Sequence, residues 1–141
     1  MNRQNNLQIM RTTDSINWST WLRNGDQYMK AATPKGKKSR FGAAIRYNLL
    51  SLSLESYSMA ILDYHKTLPD NHTYTDLMDA LDGVITVETG LKERILQYEN
   101  IQSICAIDRY FRKEPTEEDL DDLQDAIADI GSMAHEVCIP G

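Results

Sequence analysis

The chain has 141 residues, of which 41% are apolar and 26% are charged, and its formal net charge is −6. This composition is typical of a single soluble globular domain and excludes disordered, collagen-like and disulfide-rich chains. No stretch approaches the roughly 18 apolar residues of a membrane span, so we expect no contact with a membrane. The first residues also lack the apolar stretch of a secretory signal, which predicts a cytoplasmic protein.

Charge is unevenly placed along the chain. Residues 1–70 carry ten Lys or Arg and five Asp or Glu, whereas residues 71–141 carry five and sixteen. The basic excess is concentrated in a predicted loop over 33–39 and its border, where the cations are Lys35, Lys37, Lys38 and Arg40. This basic loop is either a solvated turn or a contact for RNA or an acidic partner.

Helical periodicity dominates the chain from its first quarter onward. We predict a flexible N-terminus over 1–14 and a first helix that begins near Asp14 or Ser15, both good N-caps, and ends at Pro34. The second helix is predicted from about Ser39 to Thr67 and is the longest.

The second predicted helix carries two apolar stripes. The first is assigned to the core and contains Ile45, Leu49, Leu52, Met59 and Leu62. The other contains Leu50, Leu54, Tyr57, Ile61 and Tyr64. A helix that is apolar on two faces lies either at the centre of a bundle or in a dimer interface. We expect a homodimer that buries the second stripe, since monomers rarely expose so large an apolar patch.

The third helix is predicted to start between Thr73 and Thr75. Glycines at 83 and 90 leave two alternatives open for residues 76–107, which are one kinked helix or two separate helices. The last helix has the clearest start, because Thr116 and Asp119 have the spacing of a capping box. Its apolar seam contains Leu120, Leu123, Ile127, Ile130, Ala134 and Val137. These segments predict an all-α domain over 15–138, an up-down bundle of four to five helices.

Several short segments resemble the HEPN superfamily of small helical-bundle proteins. In chain order, these segments are Trp21-Leu22 with Asp26 and Ala31-Ala32, Ala43 to Tyr47, Leu54-Glu55, Ala60 to Leu62, His72 with Leu77, and Arg109-Tyr110 with Pro115-Thr116. The resemblance spans residues 15–137. It implies a four-helix bundle that acts as a ribonuclease, partners a minimal nucleotidyltransferase, or binds nucleotide or RNA.

The ribonuclease motif of that family is missing. It is an Arg and a His separated by four to six residues, and no such pair ends at His65, His72 or His135. The family's Lys after the mid-helix Glu is also absent, since Glu55 is followed by Ser56. We therefore expect a non-catalytic protein without a cofactor that binds a partner protein or nucleotide and RNA. The alternatives are a ribonuclease or toxin with a displaced site at His72 or His135, and a structural or regulatory protein.

The acid in the middle of the second predicted helix, Glu55, has two interpretations, and the more specific one is a residue of a binding cleft. Glu55 lies in the most apolar helix, so its carboxylate needs a partner, and Arg109 or Arg112 is a candidate. Such a cleft would hold phosphate on Arg and stack a base on Tyr. Its candidate residues are Glu55, Tyr57, His72, Arg109, Tyr110 and Arg112. The alternative, which the residue types favour, is a structural ion pair or an exposed acid. The acids and histidines over 63–72 straddle a predicted loop, so no metal site is predicted.

Overall fold

The computed structural model describes residues 17–34, 42–99 and 115–140. Over these ranges it contains five helices and no strand, which confirms the predicted all-α bundle. The helices are α1 (Trp18–Ala32), α2 (Ala43–Tyr64), α3 (Tyr74–Asp82), α4 (Thr89–Leu96) and α5 (Glu117–Cys138). The predicted flexible segment 1–14 and the cations of the basic loop lie outside the described residues.

Two helix starts test the capping predictions. The α5 capping box is confirmed, because the Thr116 hydroxyl accepts from the Asp119 amide and the Asp119 carboxylate accepts from the Thr116 amide. Helix α1 begins two to three residues later than the predicted caps Asp14 and Ser15. Asn17 is its N-cap, and the Asn17 side chain accepts from the backbone amide of Ser19 at 2.9 Å. Asparagine caps as well as aspartate or serine, so the first good cap in the sequence need not be the one used.

Helix α2 lies at the centre of the bundle and packs against α1, α3 and α5. Leu50, Leu54 and Ile61 have no exposed surface within the single chain, and Tyr57 is 4% exposed. The prediction that this stripe forms a dimer interface is therefore wrong. Neighbouring helices cover it, and periodicity alone does not tell which stripe of a helix its neighbours cover.

Two residues of the stripe assigned to the core are on the surface instead. Ile45 is 52% exposed and Leu52 is 39% exposed, whereas Met59 and Leu62 of the same stripe are buried. Tyr64, at the end of α2, is 40% exposed and meets Trp18 edge-on, with ring centroids 5.8 Å apart. Over the first half of α2, therefore, residues of the stripe assigned to the core are exposed, and residues of the stripe assigned to a dimer interface are buried.

The region after α2 forms two helices rather than one kinked helix. Gly83 is the C-cap of α3, and residues 83–88 separate α3 from α4 without helical structure. Val87 in this connection is buried, which anchors it to the core. The structure describes α4 only to Leu96, and the rest of the segment predicted to reach 107 lies outside the described residues from position 100 onward.

A buried arginine ties three helices together. Arg46 on α2 has no exposed surface, and its guanidinium donates to Glu117 at 2.8 Å and to Asp121 at 2.9 Å, both on α5. Its Nε donates to the backbone carbonyl of Ala32, the last residue of α1, at 3.0 Å. A fully buried arginine is stable only when its donors are satisfied, as they are here.

None of the described helices has the length and apolar content needed to cross a bilayer.

Candidate functional site

The aromatic ring of Tyr57 lies between two glycine backbones at the crossing of α1, α2 and α5. A Cβ added to Gly25 would lie 2.6 Å from Cδ1 of this ring, and one added to Gly131 would lie 2.6 Å from Cε2. Real Cβ atoms do not approach other atoms so closely, so both positions need glycine as long as the ring stays in place. The two glycines let three helices close around one tyrosine.

The hydroxyl of Tyr57 is hydrogen-bonded to the Asp26 carboxylate, which is also hydrogen-bonded to His135. It donates to Oδ1 of Asp26 at 2.6 Å, and Nε2 of His135 lies 3.0 Å from both oxygens of the same carboxylate. Burial and the Asp26 hydrogen bond raise the pKa of Tyr57 well above its usual range, so the phenol stays protonated and donates. Asp26 and His135 are each about half exposed, so this cluster faces solvent.

An open groove of about 590 Å³ runs over this cluster. Its floor is Tyr57 and Gly131, and its walls come from α1 and α5. Apolar side chains contribute to the lining, and Ile139 at one end is 57% exposed. The complete lining is Met29, Tyr57, Ala128, Gly131, Ser132, His135, Glu136 and Ile139. We call this surface the α1–α5 groove.

The helix that forms one wall of the α1–α5 groove is strongly acidic. Along its 22 residues, α5 carries eight Asp or Glu and no Lys or Arg. Helical geometry places Asp125 beside Ala128 and Asp129 beside Ser132, two residues that line the groove, and both carboxylates are exposed. The described residues that line the groove likewise include no Lys or Arg.

A second, smaller pocket lies on the opposite side of α2 and contains two predicted site residues. Nδ1 of His72 is hydrogen-bonded to Oε2 of Glu55, and together they line a cavity of about 370 Å³. Its other lining residues are Asn48, Ser51, Leu52 and Tyr74. The structure thus brings Glu55 and His72 together.

The six residues predicted to share one cleft do not meet in one place. Glu55 and Tyr57 are two positions apart on α2, so helical geometry turns them about 200° away from each other. Tyr57 lies at the α1–α5 groove and Glu55 lies at the smaller pocket. The prediction that both line one cleft is therefore wrong. Arg109, Tyr110 and Arg112 fall outside the described residues.

Sequence reasoning missed three residues, two that line the groove and one in the cluster beneath it, in the roles that they have here. Asp26 entered only through the family resemblance, His135 only as a displaced catalytic candidate, and Gly131 not at all. A usable signal existed for Gly131, because a glycine inside an otherwise regular apolar seam often marks a close approach of a neighbouring group. The pairing of Asp26 with His135 joins positions 109 residues apart and leaves no local signal.

The described part of the chain offers side chains suited to binding and proton exchange. No three His, Cys, Asp or Glu side chains of the described residues converge on a point where they could hold a metal ion. Each of the two sites offers one imidazole that is hydrogen-bonded to one carboxylate. An imidazole held in this way can donate a proton to a bound molecule or accept a proton from it.

Comparisons with known proteins identify no relative: no family model matches the chain, and neither a curated protein nor a solved structure matches it.

Proposed function

We propose that this protein is a non-catalytic helical bundle that binds a basic, amphipathic segment of a partner protein in the α1–α5 groove. The observation that carries the proposal is the combination of an open, partly apolar groove with an α5 wall that lacks any Lys or Arg. This proposal keeps the binding role expected from the sequence and narrows it to a protein partner.

Charge favours a cationic partner. Three carboxylates lie on or beside the groove in addition to that of Asp26 beneath it, namely Glu136 in its lining and Asp125 and Asp129 on the adjoining face of α5. Complementary charges of a partner raise the association rate and fix its orientation. Phosphate backbones would meet the same carboxylates with repulsion, and nucleic-acid binding depends on neutralising phosphates with Lys or Arg. This argues against RNA or nucleotide as the ligand of this groove.

Apolar contact provides the attraction that charge alone does not. Met29 of α1 and Ile139, which follows α5, both line the groove, and Ala128 adds a small apolar side chain. Amphipathic helices commonly bind in this manner, with apolar anchors in the groove and charges at its rim. The groove is formed within one chain, so binding does not require a second copy.

The ribonuclease alternative has less support at this groove. His135 provides an imidazole, but the described lining has no Lys or Arg that could hold a phosphate. Its partner Asp26 adds a negative charge where the scissile phosphate would have to lie. The HEPN relationship, the nucleotidyltransferase partner and the homodimer stay predictions, and the proposed binding role does not depend on them.

A labelled model peptide tests the proposal directly. The probe is a helical peptide with Leu on one face and Lys on the other, and its control has Glu in place of every Lys. We expect fluorescence anisotropy to give a Kd on the order of 10 μM for the Lys peptide, weakening as salt is raised. The Glu peptide should not bind. Equal binding of both peptides, or none of either, would contradict the proposal.

Two matched substitutions locate the binding surface. Glu136→Lys places a cation in the groove, whereas Glu118→Lys makes the same change on an exposed residue of the first turn of α5, away from the groove. We expect Glu136→Lys to weaken peptide binding about tenfold, or about 1.4 kcal/mol, and Glu118→Lys to change it much less. Similar losses for both variants would mean that the peptide only senses the overall charge. Cleavage of a labelled RNA by the wild type, abolished by His135→Ala, would instead favour the ribonuclease.

A further inference from the structure

The smaller pocket combines side chains of one face of α2 with the turn that precedes α3. Asn48, Ser51, Leu52 and Glu55 recur at steps of three and four, so they lie along one face of the helix. His72 and Tyr74 close the pocket from the other side. None of these residues lines the α1–α5 groove, so a ligand of this pocket does not depend on the peptide binding proposed there.

The polar groups of this pocket are held in place and leave hydrogen-bonding capacity unused. Tyr74 is buried, and its hydroxyl lies 2.6 Å from Oγ of Ser51. Because Nδ1 of His72 is engaged by Glu55, its Nε2 is the nitrogen available to a ligand. Among the described residues, the side-chain amide of Asn48 and Oε1 of Glu55 have no hydrogen-bond partner.

The charge balance of the pocket disfavours an anionic ligand. No Lys or Arg is among its described lining residues, so nothing there would hold a phosphate or a carboxylate. The one carboxylate, Glu55, is already bonded to an imidazole, which reduces its attraction for a free cation. The remaining groups both donate and accept hydrogen bonds, as hydroxyl groups require of their partners.

The lining of the pocket also includes one apolar side chain, that of Leu52. Leu52 is 39% exposed and lies beside these polar groups. A sugar ring presents hydroxyls at its edge and carbon-bound hydrogens on its face, so it can use both kinds of contact. A few convergent polar groups beside an apolar surface are the usual make-up of a small-molecule site.

We propose that this pocket binds a small neutral ligand that carries several hydroxyl groups on one ring, a free sugar or the ribose of a nucleoside. Glu55 accepts from a ring hydroxyl through Oε1, Nε2 of His72 and the Asn48 amide bind neighbouring hydroxyls, and Leu52 packs against the ring.

Saturation-transfer NMR on the full chain tests this site with three probes, namely methyl β-D-glucoside, D-ribose and adenosine. We expect transfer to at least one probe with a Kd on the order of 1 mM, as is typical of ligands with about a dozen non-hydrogen atoms. Transfer to the two plain sugars would identify the ring alone as the ligand, and transfer to adenosine only would identify a nucleoside. No transfer to any probe would overturn the proposal.

Matched variants separate this pocket from non-specific contact. Asn48→Ala removes a hydrogen-bonding group of the pocket, and Glu55→Gln replaces one acceptor oxygen and the negative charge of its carboxylate by an amide NH2. Gln27→Ala and Glu93→Gln make comparable changes on exposed residues of α1 and α4. We expect each pocket variant to weaken the transfer about tenfold while its thermal melting still shows a folded protein, and the controls to leave it unchanged. Equal transfer in pocket and control variants would overturn the assignment of the site.

Discussion

The ring of Tyr57 occupies the space that a side chain at position 131 would need. A Cβ at Gly131 would lie 2.6 Å from Cε2 and 2.7 Å from Cζ of the ring, and Gly25 faces the same ring from α1 at a similar distance. The closeness of α1, α2 and α5 therefore depends on one aromatic ring and two glycines, and the α1–α5 groove lies directly over this junction.

We predict that Gly131→Ala destabilises the protein. The added methyl group meets a rigid ring rather than a flexible chain end, so we expect the free energy of unfolding to fall by about 1–3 kcal/mol. Gly90→Ala is the matched control, because a Cβ there meets only the Glu88 carboxylate, at an ordinary 3.7 Å. It should leave stability unchanged or raise it by up to about 1 kcal/mol through helix propensity. Urea denaturation measures both, and equal midpoints would contradict the tight packing at Tyr57.

We predict that Leu54→Lys unfolds the protein instead of dissociating a dimer. Leu54 has no exposed surface within one chain, and a lysine there would bury an unpaired charge at a cost of several kcal/mol. Leu52→Lys, two residues away, projects from the surface and should change stability by less than about 1 kcal/mol. Far-UV circular dichroism at 25 °C distinguishes the two outcomes. A helical spectrum for Leu54→Lys would show that the interior of the bundle is placed incorrectly.

The predicted homodimer can be tested with substitutions on the exposed face of α2. Among the large apolar residues of α2, Ile45 and Leu52 are exposed, together with Tyr64 at its end. If two copies associate through α2, Ile45→Ser with Leu52→Ser should shift sedimentation from dimer to monomer without loss of helix, because a twofold contact doubles the effect of each change. A wild type that sediments as a monomer at high micromolar concentration would exclude the dimer.

We predict that removing the acids around Arg46 is more harmful than removing Arg46. Glu117 and Asp121 are largely exposed, at 59% and 66% of their side-chain surface, so they regain water when the guanidinium is lost. Arg46→Met should cost about 1–2 kcal/mol, whereas Glu117→Gln with Asp121→Asn leaves a buried charge uncompensated and should cost about 3 kcal/mol or more. Chemical denaturation gives the order, and the reverse order would contradict this account.

We predict an acid-dependent contribution from Asp122. The Tyr98 hydroxyl donates to this carboxylate at 2.7 Å and, with the Arg94 guanidinium, holds the pKa of Asp122 below its usual range. A lowered folded-state pKa contributes stability that is complete above the unfolded pKa of about 3.9 and is lost as the pH falls through the folded pKa.

The expected observation is a stability difference that depends on pH. Asp122→Asn should be less stable than wild type at pH 7, and the two should converge as the pH falls below about 4. Asp79→Asn is the control, because the exposed Asp79 carboxylate makes no hydrogen bond to any described residue. Thermal melts from pH 7 to pH 3 provide the measurement. A constant gap between wild type and Asp122→Asn would mean that the carboxylate charge is not the cause.

The helices and several of their ends could be predicted from the order of residues alone. Apolar steps of three and four recur wherever a helix packs on one side, and Thr116 with Asp119 has the chemistry of a cap whatever the rest of the chain does. Leu120, Leu123, Ile127 and Ile130 are buried as their spacing predicts. These features depend on neighbours within one or two turns, so they are visible in the sequence.

The inner side of α2 and the grouping of residues into sites depend instead on how the helices pack. Both stripes of α2 are apolar, and their burial depends on where α1 and α5 cross it, which is a property of distant segments. The same holds for Asp26 and His135, which meet because Tyr57 and two glycines bring α1 and α5 together around α2. Glu55 and Tyr57 are close in sequence but lie at different sites, because two steps along a helix turn side chains to nearly opposite faces.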